Sequence, residues 1–169
     1  MIMRRIVLGR KILVKVVFVC LGNICRSPTA EGVFRALVKS EGLDGKIACD
    51  SAGTGAWHVG EAPDKRMSAT ARKRGVDLSD LRARQAVSAD FERFDYVIAM
   101  DQDNKANLSK ICPPGMESKL FRFLEFTPQS GRREVPDPYY GGPDGFELVV
   151  DLIEEASRGL LADIRENYL

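Results

Sequence analysis

The fold is decided where the run Ile12-Leu-Val-Lys-Val-Val-Phe-Val19 leads into Cys20-Leu-Gly-Asn-Ile-Cys25-Arg26-Ser27-Pro28. The first stretch is nearly continuous in aliphatic and β-branched residues, which predicts a strand buried on both faces of a parallel sheet. After the second stretch, apolar residues recur at helical spacing up to Gly42, where a helix would end. These apolar residues are Ala30, Val33, Phe34, Leu37 and Val38. The stretch from Cys20 to Pro28 therefore occupies a strand-to-helix turn.

The residues of this turn suit an anion-binding loop that carries its own nucleophile. Ser27 is predicted to cap the helix and Pro28 to occupy its first position, so that several free N–H groups face one site. The planar fork of Arg26 matches two oxygens of a phosphate, and a guanidinium and a helix N-terminus both favour a thiolate at Cys20. A structural cysteine beside a surface arginine is the plain alternative, but strand, loop and helix together favour the phosphate site. The predicted phosphate-binding residues are Leu21, Gly22, Asn23, Ile24, Cys25 and Arg26, with Cys20 as the nucleophile.

Length and composition are typical of one globular domain. The chain has 169 residues and a formal net charge of +1, a balance that suggests neither nucleic-acid binding nor attachment to a membrane surface. Its longest apolar run, from Ile12 to Leu21, is interrupted by Lys15 and is far too short to span a membrane. We predict a domain over residues 13–169, preceded by a short basic arm over residues 1–12 that lacks a cleavage site for a targeting peptide.

The four cysteines, at positions 20, 25, 49 and 112, bear on metal binding and on cellular location. They form no pair of Cys-x-x-Cys motifs, so a structural zinc site is not expected. The sequence also offers no cluster of carboxylates and histidines for a metal-dependent phosphatase, and we predict neither a metal nor another cofactor. A reactive thiolate requires a reducing compartment, so we expect the protein in the cytoplasm.

Strand-like and helical segments alternate along the chain. Strands are predicted over about residues 13–19, 46–50, 95–100 and 119–124, and helices over about 28–40, 64–74, 102–110 and 145–166. This order predicts a single α/β domain with a four-stranded, twisted parallel sheet and helices on both faces, similar to the Rossmann and flavodoxin folds. The carboxyl ends of parallel strands meet at one edge, where ligands bind. Residues predicted to reach that edge are Cys20, Ser51, Trp57, Asp101 and Asp137.

A long loop over residues 127–143 follows the fourth predicted strand. Loops of this length in compact domains are usually functional or disordered. Pro136 and Pro138 restrict the backbone around Asp137, which favours a positioned carboxyl over an ordinary turn aspartate. We interpret Asp137 as a candidate catalytic acid.

Several motifs occur in a fixed order beyond the Cys-x5-Arg-Ser segment. They are Pro28-Thr-Ala-Glu31, Asp50-Ser-Ala-Gly53, Ala83-Arg-Gln85, Phe94-Asp-Tyr96, Met100-Asp101 and Asp137-Pro-Tyr-Tyr140. Together they resemble the low-molecular-weight protein tyrosine phosphatases, and the likeness extends from about Val14 to the C-terminus. The resemblance implies hydrolysis of phosphotyrosine in proteins through a phosphocysteine intermediate, with Cys20 as nucleophile, Arg26 as phosphate clamp and Asp137 as general acid and base.

The resemblance also implies supporting roles around the loop. Asn23, Ser27 and Ser51 would hold the loop, and the substrate ring would lie between Ile24, Trp57, Tyr139 and Tyr140. Inorganic phosphate and other oxyanions would act as inhibitors, and the protein would be a monomer or a weak dimer.

Three further residues are interpreted individually. Cys25 either forms a redox-sensitive disulfide with Cys20, as the matching pair does in this family, or is a small buried hydrophobe. Arg74 stands where family members often have a histidine that supports the loop. His58, the single histidine, is predicted to be a solvated loop residue.

Other functions remain as alternatives. A thiol-linked arsenate reductase of the same fold needs two more cysteines in the middle of the chain, and none lies between Cys49 and Cys112. Protein arginine phosphatases usually have threonine in place of Ile24 and lack the paired tyrosines. A non-catalytic phosphate-binding module would be expected to have lost Cys20 or Asp137, and both are present.

Overall fold

The computed structural model describes residues 13–138, 142 and 144–169. The predicted arm at residues 1–12 and the pocket residues Tyr139 and Tyr140 lie outside the described residues. Within the described residues, the strands and α-helices are, in chain order, β1 (Val14–Cys20), α1 (Arg26–Ser40), β2 (Ile47–Gly53), α2 (Lys65–Lys73), α3 (Asp90–Arg93), β3 (Tyr96–Ala99), α4 (Gln102–Ser109), β4 (Leu120–Arg122) and α5 (Asp144–Tyr168). Short 3₁₀ helices cover Glu117–Lys119, Phe123–Phe126 and Pro128–Ser130.

The four strands form one parallel sheet in the order β2-β1-β3-β4. β1 pairs with β2 from Val14 opposite Ile47 to Cys20 opposite Gly53, and with β3 from Val16 opposite Tyr96. The single-domain α/β fold and its parallel sheet are therefore confirmed, with the predicted strands close to their expected positions. β4 is shorter than predicted because the chain turns into a 3₁₀ helix at Phe123, where Glu125 accepts the N–H of Arg122.

Helices cover both faces of the sheet because β1 buries side chains in both directions. Val16 and Phe18 point into a core shared with α1 and α5, where the Phe18 ring lies 5.6 Å from that of Phe34. Val17 and Val19 point the other way, into a second core with α3 and α4. This two-sided burial is what the nearly continuous apolar run predicted. The short helix α3 was not predicted from the sequence.

The first helix begins earlier than expected. α1 starts at Arg26, with Cys25 at its N-cap position and no side-chain cap. The predictions that Ser27 caps this helix and that Pro28 takes its first position are therefore wrong. The physical reason is that the Ser27 hydroxyl is used elsewhere: it contacts Cys20 and donates to the carbonyl of Ala52 in β2.

Candidate active site

The loop between β1 and α1 curls tightly around one point, and Asn23 lies at its centre. Asn23 has a φ of 57°, the one positive φ of a non-glycine residue within residues 13–138, 142 and 144–169. Asparagine tolerates this left-handed conformation better than most residues. Its side-chain amide donates to the hydroxyls of Ser27 (2.8 Å) and Ser51 (3.0 Å), and its carbonyl oxygen accepts the backbone N–H of Arg84 (3.0 Å). The unusual backbone is thus held from three directions.

Cys20 ends β1 and its side chain is buried beneath the loop. Its sulfur lies 3.0 Å from the Ser27 hydroxyl oxygen and accepts the backbone N–H of Asn23 at 3.3 Å. A sulfur that accepts a backbone N–H next to the first turn of a helix is placed to carry negative charge. The structure therefore brings together the predicted nucleophile and the residues predicted to support it.

Close approach of the loop to β2 requires a glycine at the end of that strand. A Cβ atom on Gly53 would lie 2.8 Å from the carbonyl oxygen of Leu21 and 3.1 Å from the carbonyl carbon of Gly22. Backbone atoms cannot move aside as the end of a flexible side chain can. Gly53 therefore lets the loop lie against the sheet edge.

Arg26 is buried beside the loop, and its guanidinium is fixed by three partners. Its Nη1 donates to Asp101 Oδ2 at 2.6 Å and to the carbonyl of Val135 at 3.1 Å, and its Nη2 lies 3.7 Å from Asp137 Oδ2. Burial by itself would lower the pKa of Arg26, but Cys20, Asp101 and Asp137 outweigh it and raise that pKa above its ordinary value. A permanently charged fork is thus aimed at the loop.

Asp101 belongs to this site although its role was not predicted. It follows β3 and its other carboxyl oxygen accepts the N–H of Asn104, which caps α4. The sequence did place Asp101 at the carboxyl edge of the sheet, and that position was the available signal. The sequence could not show that Asp101 contacts Arg26.

A cavity of about 370 Å³ opens above the loop. Its lining includes the loop residues from Cys20 to Arg26 apart from Asn23, together with Trp57, His58 and Asp137. The structure therefore places Cys20, Arg26 and Asp137 around one space. Trp57 lines this cavity but is 73% exposed, with its ring against Gly55.

His58 is a partly exposed loop residue, as predicted, but it also forms part of the cavity wall and has Glu61 as a partner, which the sequence did not show. Its Nδ1 lies 2.7 Å from Glu61 Oε2, and its ring would contact a Cβ atom at Gly22 at 3.0 Å. The contact with Glu61 orients the ring over the loop. No local pattern in the sequence could have shown that this histidine faces Gly22.

Behind the loop, a buried acid extends the hydrogen-bond chain. The Ser51 hydroxyl donates to Glu31 Oε1 at 2.7 Å, and the Glu31 side chain is almost fully buried. The pKa of Glu31 is raised to about 7, chiefly by burial, while the Ser51 hydrogen bond and Arg35 lower it and nearby Asp50 adds to the rise. An unbroken chain of contacts therefore links Glu31, Ser51, Asn23, Ser27 and the sulfur of Cys20. Sequence reasoning missed Glu31.

Arg74 does not take the place of a loop-supporting histidine. It ends α2 and its guanidinium pairs with Glu147 at 2.6 Å and Asp151 at 2.7 Å, both on α5. Its described contacts tie two helices together. In the part of the chain that the structure describes, the loop amide of Asn23 is held instead by Ser27, Ser51 and Arg84.

Cys25 lies at the start of α1 and is also buried. Burial raises the pKa of its thiol to about 12, with further contributions from Asp64 and Cys20. Cys25 therefore stays protonated at neutral pH. Both Cys20 and Cys25 are free thiols in the structure.

Over residues 13–138, 142 and 144–169, no group of three or more His, Cys, Asp or Glu side chains is arranged to hold a metal ion. Within the same ranges, no helix combines the length and apolar character needed to cross a membrane.

Comparison with known proteins gives one consistent result. Residues 15–168 match the family model described as low molecular weight phosphotyrosine protein phosphatase. A putative low molecular weight protein-tyrosine-phosphatase of Synechocystis is 49% identical over 151 residues, which are 89% of this chain and 96% of that protein. The low molecular weight phosphotyrosine protein phosphatase of Schizosaccharomyces pombe is 47% identical over 83% of this chain and 91% of its own length. A protein tyrosine phosphatase of Entamoeba histolytica, solved with Hepes in its active site, superposes with a TM-score of 0.87 at 44% identity, covering 90% of this chain and 97% of its own.

Proposed function

The chain belongs to the low molecular weight phosphotyrosine protein phosphatase family, and on that premise we propose that it hydrolyses phosphotyrosine in proteins through a phosphocysteine intermediate. One observation carries the proposal: a buried thiol, a buried guanidinium and the carboxyl of Asp137 line the same cavity. Cys20 is the nucleophile, Arg26 the phosphate clamp and Asp137 the general acid and base. No metal or cofactor takes part.

In the first step the Cys20 sulfur attacks phosphorus in line with the departing phenol oxygen. The equatorial oxygens accept hydrogen bonds from Arg26 and from backbone N–H groups of the loop over residues 21–26, where negative charge develops. Protonated Asp137 gives its proton to the phenol oxygen, so that tyrosine leaves as a neutral phenol. The S–P bond forms as the P–O bond to tyrosine breaks.

In the second step Asp137, now a carboxylate, takes a proton from a water molecule that attacks the phosphocysteine. The S–P bond breaks and inorganic phosphate leaves. Ser27 stabilises the departing thiolate, because its hydroxyl oxygen lies 3.0 Å from the sulfur.

Supporting roles follow from the contacts around the loop. Asn23, Ser27 and Ser51 hold it in a shape in which its N–H groups converge. Ile24 and Trp57 line the cavity in which the substrate ring binds, and the resemblance of Asp137-Pro-Tyr-Tyr140 to the family motif supports a role for Tyr139 and Tyr140 in holding the same ring. Residues 13–169 constitute the catalytic domain, and residues 1–12 are an arm outside it.

The setting in which this chemistry works can also be proposed. Cys20 requires a reducing compartment, which supports a cytoplasmic location. Inorganic phosphate and other tetrahedral oxyanions occupy the loop and inhibit the enzyme. The protein acts as a monomer or a weak dimer.

The deciding experiment is a phosphatase assay with aryl phosphates that differ in leaving group. Cys20→Ser should abolish activity, whereas Cys112→Ser, which changes a thiol outside the cavity, should retain it. Asp137→Asn should slow phosphates with poor leaving groups strongly and those with good leaving groups much less, with the exposed Asp103→Asn as control. Full activity of Cys20→Ser would refute the mechanism, and an unimpaired Asp137→Asn enzyme on a poor leaving group would refute only the acid role. Phosphoarginine and arsenate, tested alongside, should be poor substrates.

A further inference from the structure

A second groove lies next to the cavity above the loop. It has a volume of about 380 Å³ and is lined by Asp101, Arg132, Arg133, Glu134, Val135 and Pro136. The two spaces share a wall, because Arg26 donates both to Asp101 and to the carbonyl of Val135. Pro136 also directly precedes Asp137, which lines the first cavity. A chain bound in one space can therefore extend into the other.

The acidic residues of this groove are already engaged. Asp101 accepts hydrogen bonds from Arg26 and from the N–H of Asn104. Glu134 accepts the N–H of Gln102 at 2.7 Å, at the positive end of α4. The charge of Asp101 is therefore balanced by Arg26, and Glu134 remains as the one other carboxylate that lines the groove.

The two arginines that line the groove differ from these carboxylates. Arg132 and Arg133 are exposed, and within the described ranges neither has an acidic partner in an ion pair. The backbone on either side of them is held, because the Ser130 hydroxyl bonds to both the N–H and the carbonyl of Arg132 and because Val135 donates its N–H to the carbonyl of Met100, the residue after β3. Arg132 and Arg133, set against the single carboxylate of Glu134, thus give the groove beside the catalytic cavity a net positive charge.

We propose that Arg132 and Arg133 form a docking surface for acidic residues that flank the phosphotyrosine of a protein substrate. This inference rests on the proposed function and narrows its substrate class to phosphotyrosine in acidic sequence. Guanidinium groups suit this role because they bind carboxylates through two parallel hydrogen bonds.

The reach of a peptide agrees with this placement. An extended chain advances about 3.3–3.6 Å per residue, so that two or three residues beyond the phosphotyrosine span roughly 7–11 Å. A glutamate side chain there could meet an arginine side chain across the shared wall. His58, which lines the cavity but not the groove, is already paired with Glu61, so the acid preference should belong to one direction along the peptide.

The expected effect is moderate because the contacts are solvent-exposed. Two exposed charge pairs should favour an acidic peptide over its neutral counterpart by about 2- to 10-fold in kcat/KM. The preference should shrink as salt is raised, since screening weakens exposed charges.

The test uses matched phosphotyrosine peptides with glutamate or glutamine at the first three positions on either side. The measured quantity is the ratio of kcat/KM for the glutamate and glutamine forms. In the wild type this ratio should exceed 1 on one side, and in Arg132→Gln/Arg133→Gln it should fall to about 1. The charge-reversed pair Arg132→Glu/Arg133→Glu should favour the glutamine form. Arg158→Gln removes another exposed arginine, on α5, and should keep the wild-type ratio.

The outcomes separate this inference from the proposed function. Hydrolysis of all peptides with no preference for glutamate, or a preference that survives Arg132→Gln/Arg133→Gln, would overturn the docking surface and leave the phosphatase activity standing. Failure of the wild type to hydrolyse any phosphotyrosine peptide or aryl phosphate would overturn both.

Discussion

Arg26 Nη1 lies 2.6 Å from Asp101 Oδ2, and this contact joins the loop after β1 to the end of β3. Asp101 also caps α4 through Asn104, so one carboxylate fixes a helix and a buried cation at once. Arg26 is nearly inaccessible to solvent, and a buried charge without its partner is costly. The direction in which the phosphate clamp points thus depends on a residue from another strand.

Asp101→Asn should reduce kcat/KM for an aryl phosphate by about 10- to 100-fold, because a charge-assisted hydrogen bond of about 1.5–3 kcal/mol is weakened. Asparagine caps helices as well as aspartate does, so α4 should stay intact. Steady-state kinetics with Asp103→Asn as the matched control provide the measurement. An Asp101→Asn enzyme with wild-type kinetics would show that Arg26 is oriented without this carboxylate.

Substitutions at Asn23 can separate the effect of backbone strain from the effect of losing its side-chain hydrogen bonds. Asn23→Ala loses the amide contacts and also puts alanine at a positive φ, whereas Asn23→Gly loses only the contacts. Both should lower kcat/KM, and Asn23→Ala should in addition have a free energy of unfolding about 0.5–1 kcal/mol below that of Asn23→Gly. Urea denaturation and an aryl phosphate assay measure the two effects. Equal stability of the two variants would contradict the strain argument.

Glu31 should make stability depend on pH in a defined direction. Its pKa rises from 4.5 to about 7 on folding. Below pH 4.5 the carboxyl is protonated in both the folded and the unfolded state, so its ionisation does not affect stability. Between the two values the unfolded chain ionises first, so stability falls as pH rises, and above about pH 7 the full cost of roughly 3 kcal/mol is present.

Glu31→Gln removes this cost. Its free energy of unfolding should exceed that of the wild type by about 1–3 kcal/mol near pH 8, and the gain should disappear near pH 4. Urea denaturation at the two pH values measures this gain in stability, with Glu92→Gln, at an exposed position of α3, as the control. A gain of the same size at both pH values would mean that ionisation of Glu31 is not its source.

Cys25 should react slowly with alkylating reagents. A thiol with a pKa of about 12 is ionised in about one molecule in 10⁵ at pH 7, and the thiolate is the reactive form. Iodoacetamide should therefore label Cys20 in preference to Cys25. Peptide mass spectrometry should show that Cys20→Ser removes the rapid labelling and that Cys25→Ser retains it. Rapid labelling assigned to Cys25 would contradict its burial as a thiol.

Local patterns predicted the elements well where one physical constraint dominated. β1 was predictable because both of its faces are buried, and α5 because its apolar residues form a stripe. The start of α1 was not, since the capping preference of serine competes with hydrogen bonds from distant residues. Ser27 satisfies Cys20, Asn23 and Ala52 instead of the helix end. The short α3 contains four residues, too few for a periodic signal.

By itself, the sequence determined the order of strand, loop and helix and the placement of Cys20 and Arg26 at the two ends of one loop. These features are encoded within a few neighbouring residues, whose backbone preferences act locally. The tertiary structure decided which distant groups meet them: Asp101 is 75 positions from Arg26, and Glu31 reaches the loop through Ser51 of β2. These long-range contacts depend on the strand order β2-β1-β3-β4 and on packing between layers. Neither can be predicted from the periodicity of residues in the sequence.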